Sequence, residues 1–296
     1  MPKLEENQIS AISRFFSAAV IQEMARRGRS PLFARLLKES CLVDIFSETK
    51  KVSQLFEIAF SFLKRKHCRH EYIYKAALTQ KVLLGVHNLK TAAMLSEFRV
   101  GKCKADYVIL NGTAAVYEIK SERDTLSRLE RQVAAYMKVF ARVNVIAGEN
   151  HIDSVFSLVP KEVGILKLTN RHQITTLRES ENAPERTSPV AIFEAIQLRE
   201  AKIILEDIGI KVPNFPNTQL YEELRSRFIK LNAHDAHYGM VKTLKKTRNL
   251  VSLEKLLNEL PPSLHTAALS TSLRMQDYGR LLNAINTPTQ DAVMWA

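Results

Sequence analysis

The stretch KADYVILNGTAAVYEIKSERDTLSRLERQVAAYMKVF, residues 104–140, decides how the chain is read. Two apolar runs, DYVIL (106–110) and AAVYEIK (114–120), flank Asn111-Gly112 and predict a β-hairpin. An amphipathic helix follows over about 125–140, with Leu126, Leu129, Val133, Tyr136, Met137 and Phe140 on one face. The second strand is apolar until it ends in Glu118-Ile119-Lys120. Strand alternation puts Glu118 and Lys120 on one face, and ionised groups there need a partner or a metal. Whether Asp106 joins them depends on register. A two-residue loop, Asn111-Gly112, places Asp106 opposite Tyr117, and a three-residue loop, Leu110-Asn111-Gly112, places it opposite Val116. Only the second brings the carboxylates of Asp106 and Glu118 to one face. Such a pair suits Mg²⁺ or Mn²⁺, with Lys120 to orient a water or neutralise charge at phosphorus.

Upstream, residues 10–65 read as helices, with stops at Gly28 and a new start at Pro31, and 71–85 as one more helix. LSEFRV (95–100), VNVIA (143–147) and VGILKL (163–168) add strands to the hairpin. RESENAPERTSPV (178–190) has the composition of a linker, and 191–209 and 219–286 read as helical, with breaks near Gly239 and Pro261-Pro262. The tail TPTQDAVMWA reads as loose. The expected organisation is therefore an N-terminal helical region (1–65), an α/β core (66–178), a linker (179–190) and a C-terminal helical domain (191–296).

The 296 residues carry 43 Lys and Arg against 31 Asp and Glu, a net charge of +12. The excess is patchy: RRGR (26–29), KRKHCRH (64–70), and Arg225 to Arg248, where Asp235 is the one acid among Arg225, Arg227, Lys230, Lys242, Lys245, Lys246 and Arg248. That pattern points to a polyanionic partner, nucleic acid foremost and DNA before RNA. No apolar run is long enough for a bilayer span, and the N-terminus lacks a secretory layout. Cys41, Cys68 and Cys103 are scattered and form no CxxC, so reduced thiols and a cytoplasmic location are expected. HCRH (67–70) lacks a second ligand pair, which weighs against zinc; HDAH (234–237) sits in a basic helical region with few acids and reads as phosphate contact or plain surface; VGKCK (100–104) lacks the rest of a phosphate loop.

Asp106, then Glu118-Ile119-Lys120 on the next strand, within an α-β-β-β-α-β unit spanning about 70–170, resembles the PD-(D/E)XK nuclease core, with Ala105 at the motif proline. Gln132 and Tyr136 resemble the Gln-x-x-x-Tyr element of its RecB-like branch, and EIKSERDTLSRLERQ (118–132) is similar to a little-characterised bacterial nuclease family. The resemblance implies a restriction-endonuclease-like fold and a Mg- or Mn-dependent hydrolase that cleaves nucleic acid phosphodiesters. Its catalytic residues would be Asp106, Glu118 and Lys120. Asp106, Glu118 and the Ile119 carbonyl would hold the metal, with Glu71, or alternatively Glu97, as a further acid. Gln132 and Tyr136 would touch substrate, and Lys242, Lys245, Lys246 and Arg248 would grip the phosphate backbone. Two other classes stand beside this expectation. One is a catalytically inactive nuclease-fold protein that binds nucleic acid. The other is a regulatory or immunity protein whose basic face meets an acidic protein.

Overall fold

The structure, a computed structural model, describes residues 4–45, 50–213 and 216–295. The chain divides into two compact units, Met1–Gln80 with Asn170–His172 and Leu250–Ala296, and Lys81–Thr169 with Gln173–Asn249. The expected boundaries lie at 65, 178 and 190, whereas these units divide after Gln80 and Asn249, with Asn170–His172 in the first.

In the first unit, two helices are bounded by local capping chemistry. Ser17 caps the helix Ala18–Arg27, which ends at Gly28 in the left-handed region (φ 70°). Ser30 caps Pro31–Ser40, with proline in the first turn. These helices and Val52–Leu63 bury an aromatic cluster. The Phe15 and Phe33 rings are 4.9 Å apart and the Phe33 and Phe56 rings 5.2 Å. The C-terminus closes the same core: Trp295 lies 5.9 Å from Phe33, and Lys51 pairs with Pro288 in an isolated antiparallel bridge. The tail expected to be loose instead forms the helix Thr289–Val293 with Ala292 buried. The helix expected over 71–85 is shorter, Glu71–Leu78, and passes into a π-turn at Thr79–Leu83.

The second unit is built on a six-stranded mixed sheet in sequential order: β1 (Ala93–Val100), β2 (Cys103–Asn111), β3 (Thr113–Lys120), β4 (Arg142–Ala147), β5 (Gly164–Leu168) and β6 (Ile174–Arg178). β1, β2 and β3 pair antiparallel, β3–β4–β5 parallel, and β6 returns antiparallel. Val108, Val116, Val145 and Ile165 from the strands form one buried cluster with Val133 of the helix Leu129–Tyr136 and with Ile192, Ile204, Phe228 and Met240 of the later helices. The helices of 189–247 thus belong to the sheet's core, while those beyond residue 250 belong to the first unit. Residues 179–190 are bonded to the core and do not run as a linker: Ala183 N–H donates to Ala141 O (3.1 Å) and Ser188 N–H to Lys138 O (2.8 Å). Gly239 breaks nothing. It lies inside the helix Ala233–Thr247, where a Cβ would come within 2.6 Å of Ile204, so the missing side chain permits close helix packing.

Candidate functional site

The hairpin register is neither of the two expected. Tyr107 pairs with Tyr117 and Asn111 with Thr113, leaving Gly112 alone at the tip with φ 70°. Continued one residue past the last rung, this register puts Asp106 opposite Glu118. The β2 strand parts from β3 there, and the Ile119 N–H donates to Asp106 Oδ2 at 2.8 Å. Ile119 therefore meets Asp106 through its amide; its carbonyl was the expected metal ligand.

Glu118 and Lys120 are buried, 1% and 5% exposed. Lys120 Nζ donates to Glu118 Oε1 at 2.8 Å and to Gln132 Oε1 at 3.0 Å. The Tyr136 hydroxyl, itself buried, lies 2.9 Å from Glu118 Oε2 and 3.0 Å from the Lys104 carbonyl. The four side chains expected together are thus one network, and the helix Leu129–Tyr136 supplies two of them at a four-residue spacing. Burial pushes the Glu118 carboxyl above its ordinary value, against the opposing pull of Lys120 and of its hydrogen bonds. Burial and the neighbouring Glu118 likewise push the Tyr136 phenol up. A phenol has one proton for two acceptors. With Glu118 ionised beside Lys120, the phenol proton serves one of the two acceptors at a time.

Glu97 has a left-handed backbone (φ 58°) in β1, where the ladder to β2 skips a rung between Ser96↔Tyr107 and Phe98↔Ala105. Glu97 and Asp106 each offer a carboxylate oxygen within 4.8 Å of the other. Lys104 pairs with Glu97. The Glu97–Asp106 pair therefore has the hard-oxygen chemistry of a divalent-cation site, whereas Glu118 directs both oxygens at Lys120 and Tyr136. Glu71 is exposed in the first turn of its helix and pairs with Lys75.

The expected grip on helix Ala233–Thr247 divides. Arg248 is committed to Glu200, with Nε to Oε1 at 2.9 Å and Nη2 to Oε2 at 2.8 Å, and lies 5.4 Å from the Phe98 ring centroid. Burial pushes the Glu200 carboxylate up, yet its hydrogen bonds, Arg248's first, hold it below the ordinary range. Lys242 pairs with Asp207 at 2.8 Å. Lys246 is exposed and Lys245 half-buried. Sequence reasoning missed Glu200; its placement at the third residue of a helix, bonded back to the Gln197 amide, was the available signal.

The family model that matches, residues 64–259, is that of bacteriophage P4 protein cII. The chain belongs to the bacteriophage P4 cII family. Protein cII of Enterobacteria phage P4 is 23% identical over 161 residues, 53% of this chain and 57% of that protein, so the chain spans little more than half its relative's length. No solved structure is significantly similar. Membership in the cII family overturns the expectation of a PD-(D/E)XK nuclease, and with it a Mg- or Mn-dependent hydrolase of nucleic acid. The physical reason for the misreading is that an acid, a lysine, a glutamine and a tyrosine at these spacings also build a buried ion-pair network. Among the described residues, no helix is long and apolar enough to cross a membrane.

Proposed function

We propose that this cII-family protein is a regulatory protein that binds nucleic acid, DNA before RNA, on a restriction-endonuclease-like α-β-β-β-α-β core without cutting it. The observation that carries this reading is the inversion of access. The acid–base pair expected to act on phosphorus is buried, while Lys102, Lys104, Arg128, Arg131 and Lys246 are exposed on a chain of net charge +12. Buried ions hold structure; exposed cations release counterions on meeting phosphates. Gln132 and Tyr136 serve this reading as the supports of Glu118 and Lys120. Lys245 and Lys246 remain candidates for phosphate contact, and Lys242 contributes after release from Asp207. Mg²⁺ or Mn²⁺, if taken up, would bind Asp106 with Glu97 and brace the β1–β2 pair. The free cysteines Cys41, Cys68 and Cys103 accord with a reducing, cytoplasmic setting.

The test is anisotropy of a labelled duplex against the full chain over a range of salt. Affinity should fall steeply as salt rises, with the duplex intact in Mg²⁺ or Mn²⁺. Salt-independent binding, or salt-sensitive binding only to an acidic protein, sinks the nucleic-acid reading. Calorimetry with Mn²⁺ on wild type and Asp106→Asn tests the cation: heat lost in the variant supports the site, and equal heats remove it.

A further inference from the structure

We infer that the closed end of the β1–β2 hairpin is the element that grips duplex DNA, through Arg99, Lys102 and Lys104. The inference rests on the nucleic-acid reading above and assigns its place. Arg99 and Lys104 are direct cross-strand partners, and both are exposed. Like charges on one rung oppose the pairing they sit on, so the fold keeps here an arrangement that works against its own strands. Between them the turn Gly101-Lys102 adds a third exposed cation, with Gly101 at φ 56° supplying the left-handed residue of a tight hairpin. Among the described residues neither Arg99 nor Lys102 has an acidic partner, and Lys104 has Glu97. The contrast with the helix Ala233–Thr247 is direct, since Asp207 and Glu200 neutralise Lys242 and Arg248.

The stem that carries these cations is rigid. Phe98, Val100, Cys103 and Ala105, the alternate residues of the same strands, are buried in the unit's core. The Lys104 carbonyl accepts from the Tyr136 hydroxyl, and the Arg248 guanidinium covers the Phe98 ring. Ordering these cations on a ligand therefore costs little further backbone entropy. A phosphate between Arg99 and Lys104 would turn their repulsion into shared attraction. A two-stranded ribbon fits the major groove of B-form DNA, whereas the A-form groove of duplex RNA is deep and narrow, so the occupant is duplex DNA.

The experiment measures anisotropy of a short labelled duplex over a salt series with three full-length proteins: wild type, R99Q/K102Q/K104Q and K242Q/K245Q/K246Q. The hairpin variant should weaken binding roughly tenfold or more. Its log K against log salt should flatten by about 0.9 for each phosphate that the variant no longer neutralises. Its melting temperature should be close to that of wild type, since the loss of the exposed Lys104–Glu97 pair is offset by removal of a repulsive rung. K102Q alone, at the exposed turn, reads the same slope should the triple variant fold poorly, and Arg99→Lys should keep the wild-type slope. If the hairpin variants bind like wild type while the helix variant loses affinity, the hairpin assignment is overturned and the nucleic-acid reading stands. If wild type takes duplex RNA as well as duplex DNA, the ribbon-in-groove assignment falls. If wild type binds neither nucleic acid, the reading falls with it.

Discussion

At the scale of single residues, a buried ion has one requirement, a partner. Removing Lys120 leaves the Glu118 carboxylate without its counter-charge in a site 1% exposed. Lys120→Ala should therefore lower stability at neutral pH by about 3–5 kcal/mol in urea denaturation. The sign with pH follows from the raised Glu118 carboxyl. Its protonated form suits the folded state, so this contribution is complete at pH below the unfolded value and lost as pH rises through the folded one. The Lys120→Ala deficit should then shrink on acidification, and a deficit that grows would refute the protonation argument. His237 gives the opposite slope. It is buried, and burial, with the charge of His234 adding, lowers its pKa to about 4 from 6.5. The unfolded chain binds the proton more readily, so stability is fully present above 6.5 and is lost toward 4, by about 3 kcal/mol in all. Denaturation across that window should show the loss in wild type and its absence in His237→Phe.

Secondary-structure elements are set by packing that short spacing rules do not contain. The helices Leu198–Asp207 and Ala233–Thr247 approach closely at Gly239 and are tied by Arg248 to Glu200, whose side chain is fully buried. Arg248→Ala leaves that carboxylate unpaired and should cost about 3–5 kcal/mol. Lys246→Ala, on the exposed side of the same helix, should stay within about 0.5 kcal/mol. Thermal melts of the two variants check this, and equal effects would show that Arg248 is a surface cation after all. The hairpin is similarly exacting at Gly112, whose φ of 70° suits glycine. Gly112→Ala should cost about 1 kcal/mol without moving the register.

For the molecule as a whole, the first unit draws on both ends of the chain, with Asn170–His172 between them in sequence. Val52 N–H donates to Thr287 O and Thr289 N–H to Lys50 O, both at 3.1 Å, and Trp295 packs on Phe33. A chain truncated after Asn249 loses these bonds and part of the cover over the Phe15, Phe33 and Phe56 cluster. Its N-terminal helices should then be cut early in limited proteolysis, while the sheet unit survives longer. Uniform protection would mean that residues 4–80 fold without the C-terminal helices.

Five of the six strands and the helix Leu129–Tyr136 were legible because each buries an apolar face, and burial leaves a period in the residues. β6 (Ile174–Arg178) escaped notice because it is an edge strand with Thr175, Thr176 and Leu177 exposed, so no alternation marks it. Asp106, Glu118, Lys120, Gln132 and Tyr136 stood out by type and spacing, and the structure does gather the last four into one network. Residue identity alone thus determined the α/β class, the main strands, the basic charge and the polar cluster, because local periodicity and side-chain chemistry are properties of neighbours in the chain. Only the tertiary structure decided the hairpin register, the joining of the two chain ends in one unit, the commitment of Arg248 to Glu200 and the depth at which Glu118 and Lys120 lie. Those depend on residues far apart in sequence, and on whether water reaches a charge, which decides whether the same acid and lysine serve as chemistry or as structure.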